Sequence, residues 1–180
     1  GERGELLVKT DEKGAFNVRL PAGRDFLVKA EARGYMYFSE TFRYDPAIFR
    51  QTRIVRTNIL LLPLKVGENF TLKSVYFNPN QAEIRKDSLP ALEDLAGLLK
   101  DNPHIRLLIK GHISVDAGGE MDTMELSRTR AGSVRNHLVS RGIDRSRLEI
   151  QGFGDTRPIA DNSTAEGRSK NQRVEFEVIR

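Results

Sequence analysis

LLIKGHISVDAGGEMDTMELSRTRA, residues 107–131, is the stretch that decides the fold. An apolar run, Leu107-Leu108-Ile109, leads into Gly111-His112 and a glycine-bearing loop that carries Asp116. The loop feeds a helix holding Leu126-Ser127 and Arg130-Ala131. A strand that delivers one carboxylate, followed by a helix that returns one guanidinium, outlines a small site for a zwitterion. Such a pair holds an ammonium and a carboxylate of one ligand, and arginine takes the carboxylate with a planar two-donor fork that lysine lacks.

Outward from this stretch, strands alternate with helices. Phe70 to Phe77 reads as a strand and Asn78-Pro79-Asn80 as a turn. Asp87 or Ser88 is placed to cap a helix with Pro90 in its first turn, an apolar face of Leu89, Leu92, Leu95, Ala96 and Leu99, and a stop at Asn102-Pro103. Ile105 to Ile109 is the next strand. Asp122 followed by Glu125 is a capping pair that starts the second helix, Leu126, Ala131, Val134 and Leu138 lie on or beside its buried face, and Arg141-Gly142 ends it. Arg147 to Phe153 and Arg173 to Ile179 supply two more strands, with a loop or short helix from Asn162 to Lys170 between them. This is an α/β sandwich of about four mixed strands and two long helices, expected over residues 63–180.

Upstream the pattern is strands alone. Glu5 to Thr10, Phe16 to Leu20, Phe26 to Ala32 and Ile54 to Leu62 read as strands, separated by the turns Asp11-Glu12-Lys13-Gly14 and Pro21-Ala22-Gly23. Aromatic residues crowd the segment between Met36 and Gln51, which suits either the core of this unit or a surface against a neighbour. Pro63-Leu64-Lys65-Val66-Gly67 carries the breakers of a boundary. The fold class is therefore α+β, with an all-β unit over residues 1–62 before the α/β one.

Composition narrows the function. With 29 basic and 25 acidic residues interleaved along 180, the net charge of +4 makes no stripe for nucleic acid. The longest apolar run, Ile59 to Leu62, stops at Pro63, far short of a membrane span. The absence of cysteine excludes disulfides, thiolate metal sites and thiol nucleophiles. His104, His112 and His137 have no metal-ligand spacing, so neither a metal nor a cofactor is expected.

The order of motifs resembles the OmpA C-terminal-like family, whose signature is a strand, GHTDxxG, and NxxLSxxRA on a helix. Gly111-His112 and Leu126-Ser127-Arg128-Thr129-Arg130-Ala131 fit without a gap. Ile113-Ser114 occupy the Thr-Asp places, Asp116 restores the DxxG spacing to Gly119 across a small insertion, and Thr123 stands for the Asn. The tail follows in order: Gly142-Ile143, Arg147-Leu148, Gly152-Phe153-Gly154, Pro158, Asn162 to Arg168, and Asn171-Gln172-Arg173-Val174-Glu175, with Gln172 where the family has its first Arg. The resemblance implies non-catalytic binding of peptidoglycan through the meso-diaminopimelate of its stem peptide. Asp116 takes the side-chain ammonium and Arg130 the carboxylate, while Phe77, Asn78, Thr123, Leu126, His112 and Arg173 line the ligand cleft. It also implies a periplasmic tether to the outer membrane, attached through regions outside this sequence, with other envelope proteins as partners. The Ile113-Ser114 departure keeps a second reading open, an interaction adaptor that no longer binds the wall.

The upstream unit is similar to the carboxypeptidase regulatory-like β-sandwich, through its D-x-x-G turn, P-x-G turn and Gly34-Tyr35. That fold usually begins with further strands, so the resemblance implies a partial domain serving as spacer or docking module. The combined order resembles a class of Bacteroidota envelope proteins that includes a lipoprotein associated with type IX secretion.

Several residues have plainer readings. Gly152-x-Gly154 lacks the third glycine and the immediate helix of a dinucleotide fingerprint, so a tight turn accounts for it. Ser127, His112 and Asp116 are triad types, but no G-x-S-x-G elbow surrounds Ser127 and no enzyme is expected. A strand-end His112 commonly serves as a structural hydrogen-bonder. Arg130 on a helix beside its buried face commonly lays its stem over apolar surface. Asp122 is the competing carboxylate, already explained as a cap.

Overall fold

The computed structural model describes residues 6–21, 23–43, 54, 56–72, 75–114 and 122–180. They divide between two compact units, Gly1–Ala30 with Phe38–Ile59, and Glu31–Tyr37 with Leu60–Arg180.

In the first unit β1 (Phe26–Ala30) pairs antiparallel with β2 (Phe38–Phe42), in the register Phe26↔Phe42 to Ala30↔Phe38. The Asp11 turn forms as expected, its carboxylate accepting the N–H of Lys13 and Ala15 at 2.9 and 2.8 Å. The expected strands at its two sides do not: described residues 6–10 and 16–20 are outside any strand, as are 54 and 56–62. Leu6, Leu7, Leu20 and Ile54 are exposed. A period-two pattern becomes a strand only where another edge completes its ladder, whereas a turn closed by its own bonds needs no partner. Tyr44 and Phe49 of the aromatic segment lie outside the described residues.

The second unit carries a four-stranded sheet, in the order β3-β6-β4-β5. Its elements in chain order are β3 (Asn69–Thr71), α1 (Leu89–Asp101), β4 (Leu107–Gly111), α2 (Thr123–Ser140), β5 (Leu148–Gly152), α3 (Ala165–Asn171) and β6 (Val174–Val178). β4 and β5 are parallel, joined by α2 as the crossover that parallel strands require, and the other pairs are antiparallel. β3 is shorter than its sequence suggests: Phe77 makes only an isolated bridge to Ile84. In-facing rows cross the sheet, with Phe70, Phe176, Ile109 and Ile150 in one register line, and Phe70 stacked on Phe176 at 5.4 Å. Leu92, Leu95 and Leu99 of α1 and Ala131, Val134 and Leu138 of α2 complete the core, all fully buried. The segment Glu31–Tyr37 joins this unit too. Met36 is buried in the core cluster, Tyr35 bridges Pro63, and Gly34 N–H donates to the Asn102 side chain.

Helix ends follow local chemistry. Asp122 caps α2 by accepting the Glu125 N–H at 3.0 Å, and Gly142 closes its far end with φ of 89°. Ser88 takes the N-cap position of α1 without capping it. A 3-10 turn, Lys86–Ser88, precedes the helix, and the buried Ser88 hydroxyl accepts from Tyr76 N–H at 2.8 Å, fastening the segment before the Asn78 turn to the helix start.

Two glycines set how closely α2 sits on the sheet. Gly111 and Gly152 face each other in the β4–β5 register, and the first turns of α2 lie against both, the Ser127 backbone on Gly111 and the Met124 and Arg128 backbone with the Ser127 hydroxyl on Gly152. A Cβ on Gly111 would collide with the Ser127 carbonyl, and one on Gly152 would fall 2.6 Å from the Met124 carbonyl oxygen. Gly97, on the exposed side of α1, has nothing within 4 Å. Gly111→Ala is therefore expected to destabilise the protein by about 1–3 kcal/mol, because the backbone it meets cannot rotate away. Gly97→Ala should stabilise it by about 0.5–1 kcal/mol. Urea unfolding of the two variants checks the contrast, and equal effects would contradict the packing argument.

Candidate functional site

The Asn78 turn prepares one wall of a cleft. Pro79 holds its corner and Asn80 takes a φ of 58°, a left-handed value that asparagine tolerates, so that Gln81 N–H closes on the Asn78 carbonyl at 3.1 Å. Both end carbonyls of the turn also accept from Arg130. Its Nε donates to the Gln81 oxygen at 2.9 Å and its Nη2 to the Asn78 oxygen at 3.1 Å. The guanidinium carbon lies 4.9 Å from the centre of the Phe77 ring. Arg130 is only 5% exposed. Burial lowers its pKa, but arginine keeps its proton, and neutral carbonyls orient the charge without cancelling it.

The cleft holds about 80 Å³ and is lined by Val75, Tyr76, Phe77, His112, Arg130, Ser169, Gln172 and Arg173. His112 is buried, its ring stacked on Phe153 at 5.2 Å, and the Arg157 guanidinium covers Phe153 at 4.0 Å. Arg173 is held by Glu175 at 2.7 Å and by the carbonyl oxygens of Asn171 and Arg157. Glu175 also stands 3.6 Å from His112 Nε2. Burial, then the charge of Arg173, push the His112 pKa down to about 4, because Glu175 is already committed to Arg173. Gln172 Nε2 donates to the Ser114 hydroxyl at 3.1 Å, so the two departures from the family pattern at 114 and 172 touch each other.

Four of the residues singled out in the sequence thus meet in one place: Phe77, His112, Arg130 and Arg173. Asn78 contributes its carbonyl, while its amide donates to Gln81. Thr123 and Leu126 do not line the cleft. The Thr123 hydroxyl donates to Asp155 at 3.1 Å and half-buried Leu126 lies in the first turn of α2, so both serve the packing of that turn. Asp116 lies outside the described residues. Ser127 is fully buried, donating to the Met124 carbonyl and accepting the Gly154 N–H, both at 2.9 Å, which leaves it the part of a clamp rather than of a nucleophile. Tyr76, Ser169 and Glu175 were not foreseen. Glu175 alone had a signal, sitting two residues from Arg173 in the stretch expected as one strand, and hence on the same face.

A sequence model described as the OmpA family matches residues 76–172, more than half of the chain. A probable lipoprotein of Escherichia coli, YiaD, is 37% identical over 113 residues, which are 61% of this chain and 51% of that protein. The chain therefore spans about half the length of that curated relative. Among solved structures, the peptidoglycan-associated lipoprotein from Burkholderia pseudomallei aligns at 25% identity and a TM-score of 0.53, over 58% of this chain and 88% of that one. The cell wall anchor of the T6SS from Pseudomonas aeruginosa aligns at 31% identity and a TM-score of 0.50, over 57% and 73%.

The state of His112 gives a pH test. Its pKa of about 4 in the fold lies below the ordinary value of 6.5, so between these the unfolded chain binds the extra proton. Stability from the neutral ring is complete above pH of about 6.5 and is lost as pH falls toward 4. Denaturant midpoints measured across that window should fall with pH, and His112→Gln should flatten this part of the slope. An unchanged slope in the variant would assign the acid sensitivity elsewhere.

Proposed function

The chain belongs to the OmpA family, and on that premise we propose that its α/β unit binds peptidoglycan without catalysis, through the diaminopimelate of the stem peptide. The observation that carries the reading is Arg130. It is a buried cleft-wall guanidinium, oriented by two carbonyl oxygens, with no carboxylate against it among the described residues. A buried charge of this kind is costly unless something anionic meets it. The ligand's side-chain carboxylate supplies the counter-charge, and Asp116 takes the ammonium on the same carbon. Phe77 lies beside the guanidinium, while His112 and Arg173 form the opposite wall. The cleft is small, which suits one end of an amino acid rather than a folded partner. The Burkholderia lipoprotein and the Pseudomonas anchor, whose names refer to peptidoglycan and to the cell wall, support the same direction.

The domain then acts as a reversible tether in the periplasm, for a protein attached to the outer membrane through other regions. The type IX secretion-associated lipoprotein class remains our proposal for what is held, with the upstream unit as its spacer. An adaptor that has lost the wall is the second reading, favoured by the neutral Ser114–Gln172 contact where the family pattern has an acidic residue.

Co-sedimentation with purified sacculi decides between them: retention in the pellet is expected, and its absence at physiological salt would leave the adaptor. Arg130→Ala should cost about 2–5 kcal/mol of binding to a diaminopimelate peptide, since a desolvated carboxylate loses its partner. Arg130→Lys should fare little better, because a point charge lacks the fork. Asp116→Asn should weaken binding without loss of fold. If calorimetry found Asp116→Asn unchanged and Asp122→Asn weakened, the ammonium site would belong to the helix start.

A further inference from the structure

The cleft has room for one end of an amino acid, so whatever carries that end must leave over the rim, and the rim has a chemistry of its own. Resting on the diaminopimelate reading above, we propose that Ser169 and Gln172 form a second subsite, which takes the amide groups of the peptide carrying the zwitterion and makes the cleft select a peptidyl ligand over the free amino acid. Of the residues lining the cleft, Val75, His112 and Arg130 are buried, and Phe77 and Arg173 are half-buried. Tyr76, Ser169 and Gln172 are exposed, and they mark the side on which a ligand chain emerges. All three are uncharged. Charge recognition thus stays with the guanidinium groups inside, and the exit suits neutral polar groups.

Backbone and side-chain bonds place the pair. The Gln172 N–H donates to the Arg168 carbonyl at 3.0 Å, which carries the helical turn one residue past α3 and sets Gln172 on the same side as Ser169, three residues earlier. The Gln172 side chain is fixed from the other direction: its Nε2 donates to the hydroxyl of Ser114, which is itself buried. An amide held by its nitrogen has Oε1 left to accept, and among the described residues no donor reaches that oxygen. The Ser169 hydroxyl has no partner among them either. One open acceptor beside one open hydroxyl matches a peptide group, which offers one N–H and one C=O. Diaminopimelate joined into a stem has such groups a short methylene chain away from the zwitterion that Arg130 holds. In the free amino acid that far end carries a second ammonium and carboxylate, whose water an uncharged rim does not replace. A glutamine ordered beforehand also loses less entropy on binding, so Ser114 is a positioning residue that acts through Gln172.

The full chain is titrated by calorimetry with two probes. One is free meso-diaminopimelate, and the other is its derivative acetylated at one α-nitrogen and methylamidated at the carboxyl group of the same centre, which keeps one zwitterionic end and turns the other into two amides. Tighter binding of the diamide is expected. Gln172→Met keeps the stem and removes the amide, and it should weaken the diamide about fivefold, the size of one net hydrogen bond between neutral groups, while the free amino acid binds as before. Ser169→Ala should act in the same way. Ser114→Ala should weaken the diamide in the wild-type background and change nothing further in Gln172→Met, a coupling that loss of packing alone would not produce. Lys170→Gln, on α3 but outside the cleft lining, should change neither affinity. Equal affinity of the wild type for the two probes, or an equal loss for both in Gln172→Met, would overturn the rim subsite while leaving the binding reading in place. Binding of neither probe would overturn that reading and the subsite with it.

Discussion

Backbone against backbone, where α2 crosses the ends of two parallel strands, is the contact on which the α/β unit depends. Gly111 and Gly152 leave no side chain between the α2 backbone and the sheet, and the Ser127 hydroxyl is then close enough to receive the Gly154 N–H. That approach fixes the axial position of α2, and with it the height of Arg130, three residues further along. The same bond holds the exit of β5, so Phe153 stacks under His112 and Arg157 covers Phe153. One glycine pair and one hydroxyl thus set both walls of the cleft.

Within the cleft, charge is arranged by unequal pairing. Arg173 has a carboxylate of its own and two further ties, so it behaves as part of the wall. Arg130 is held by neutral dipoles only, which gives it a direction while its charge stays available. His112 is kept neutral by burial beside Arg173. The cleft presents a net positive charge that is rigidly aimed, and rigidity matters because ordering a long side chain at the moment of binding costs affinity.

What could be read in the sequence was what short-range chemistry decides. The α2 cap at Asp122, its glycine end, the Asn102 stop of α1 and the Asp11 turn each rest on residues within a few positions of one another. The strands of the first unit required partners that a pattern cannot supply. Ser88 shows the limit from the other side: it has the type and position of a cap, yet Tyr76, distant in sequence, claims its hydroxyl. In the cleft, Phe77, His112, Arg130 and Arg173 could be named because a motif order links them. Thr123 and Leu126 belonged to the same motif but pack the start of α2. Asn78 was named as a cleft residue from its place in the motif, and its carbonyl holds Arg130. Gly152 was read as a turn residue, and its deeper reason, the helix backbone pressed on it, exists only in three dimensions.

The segment Glu31–Tyr37 gives the unit an unusual mechanical entry. Its backbone is stitched to the chain just before β3, with Met36 N–H donating to the Leu62 carbonyl at 2.7 Å and Leu64 N–H to that of Gly34 at 2.8 Å. Gly34 is tied as well to Asn102 at the end of α1, and Tyr37 reaches the Ala91 carbonyl near its start. Tension arriving along the chain from Ala30 is therefore delivered to both ends of α1 and to the buried Met36 before it can reach Leu60. A pull from upstream is therefore borne by the folded unit itself, through the ties of Gly34, Met36 and Tyr37.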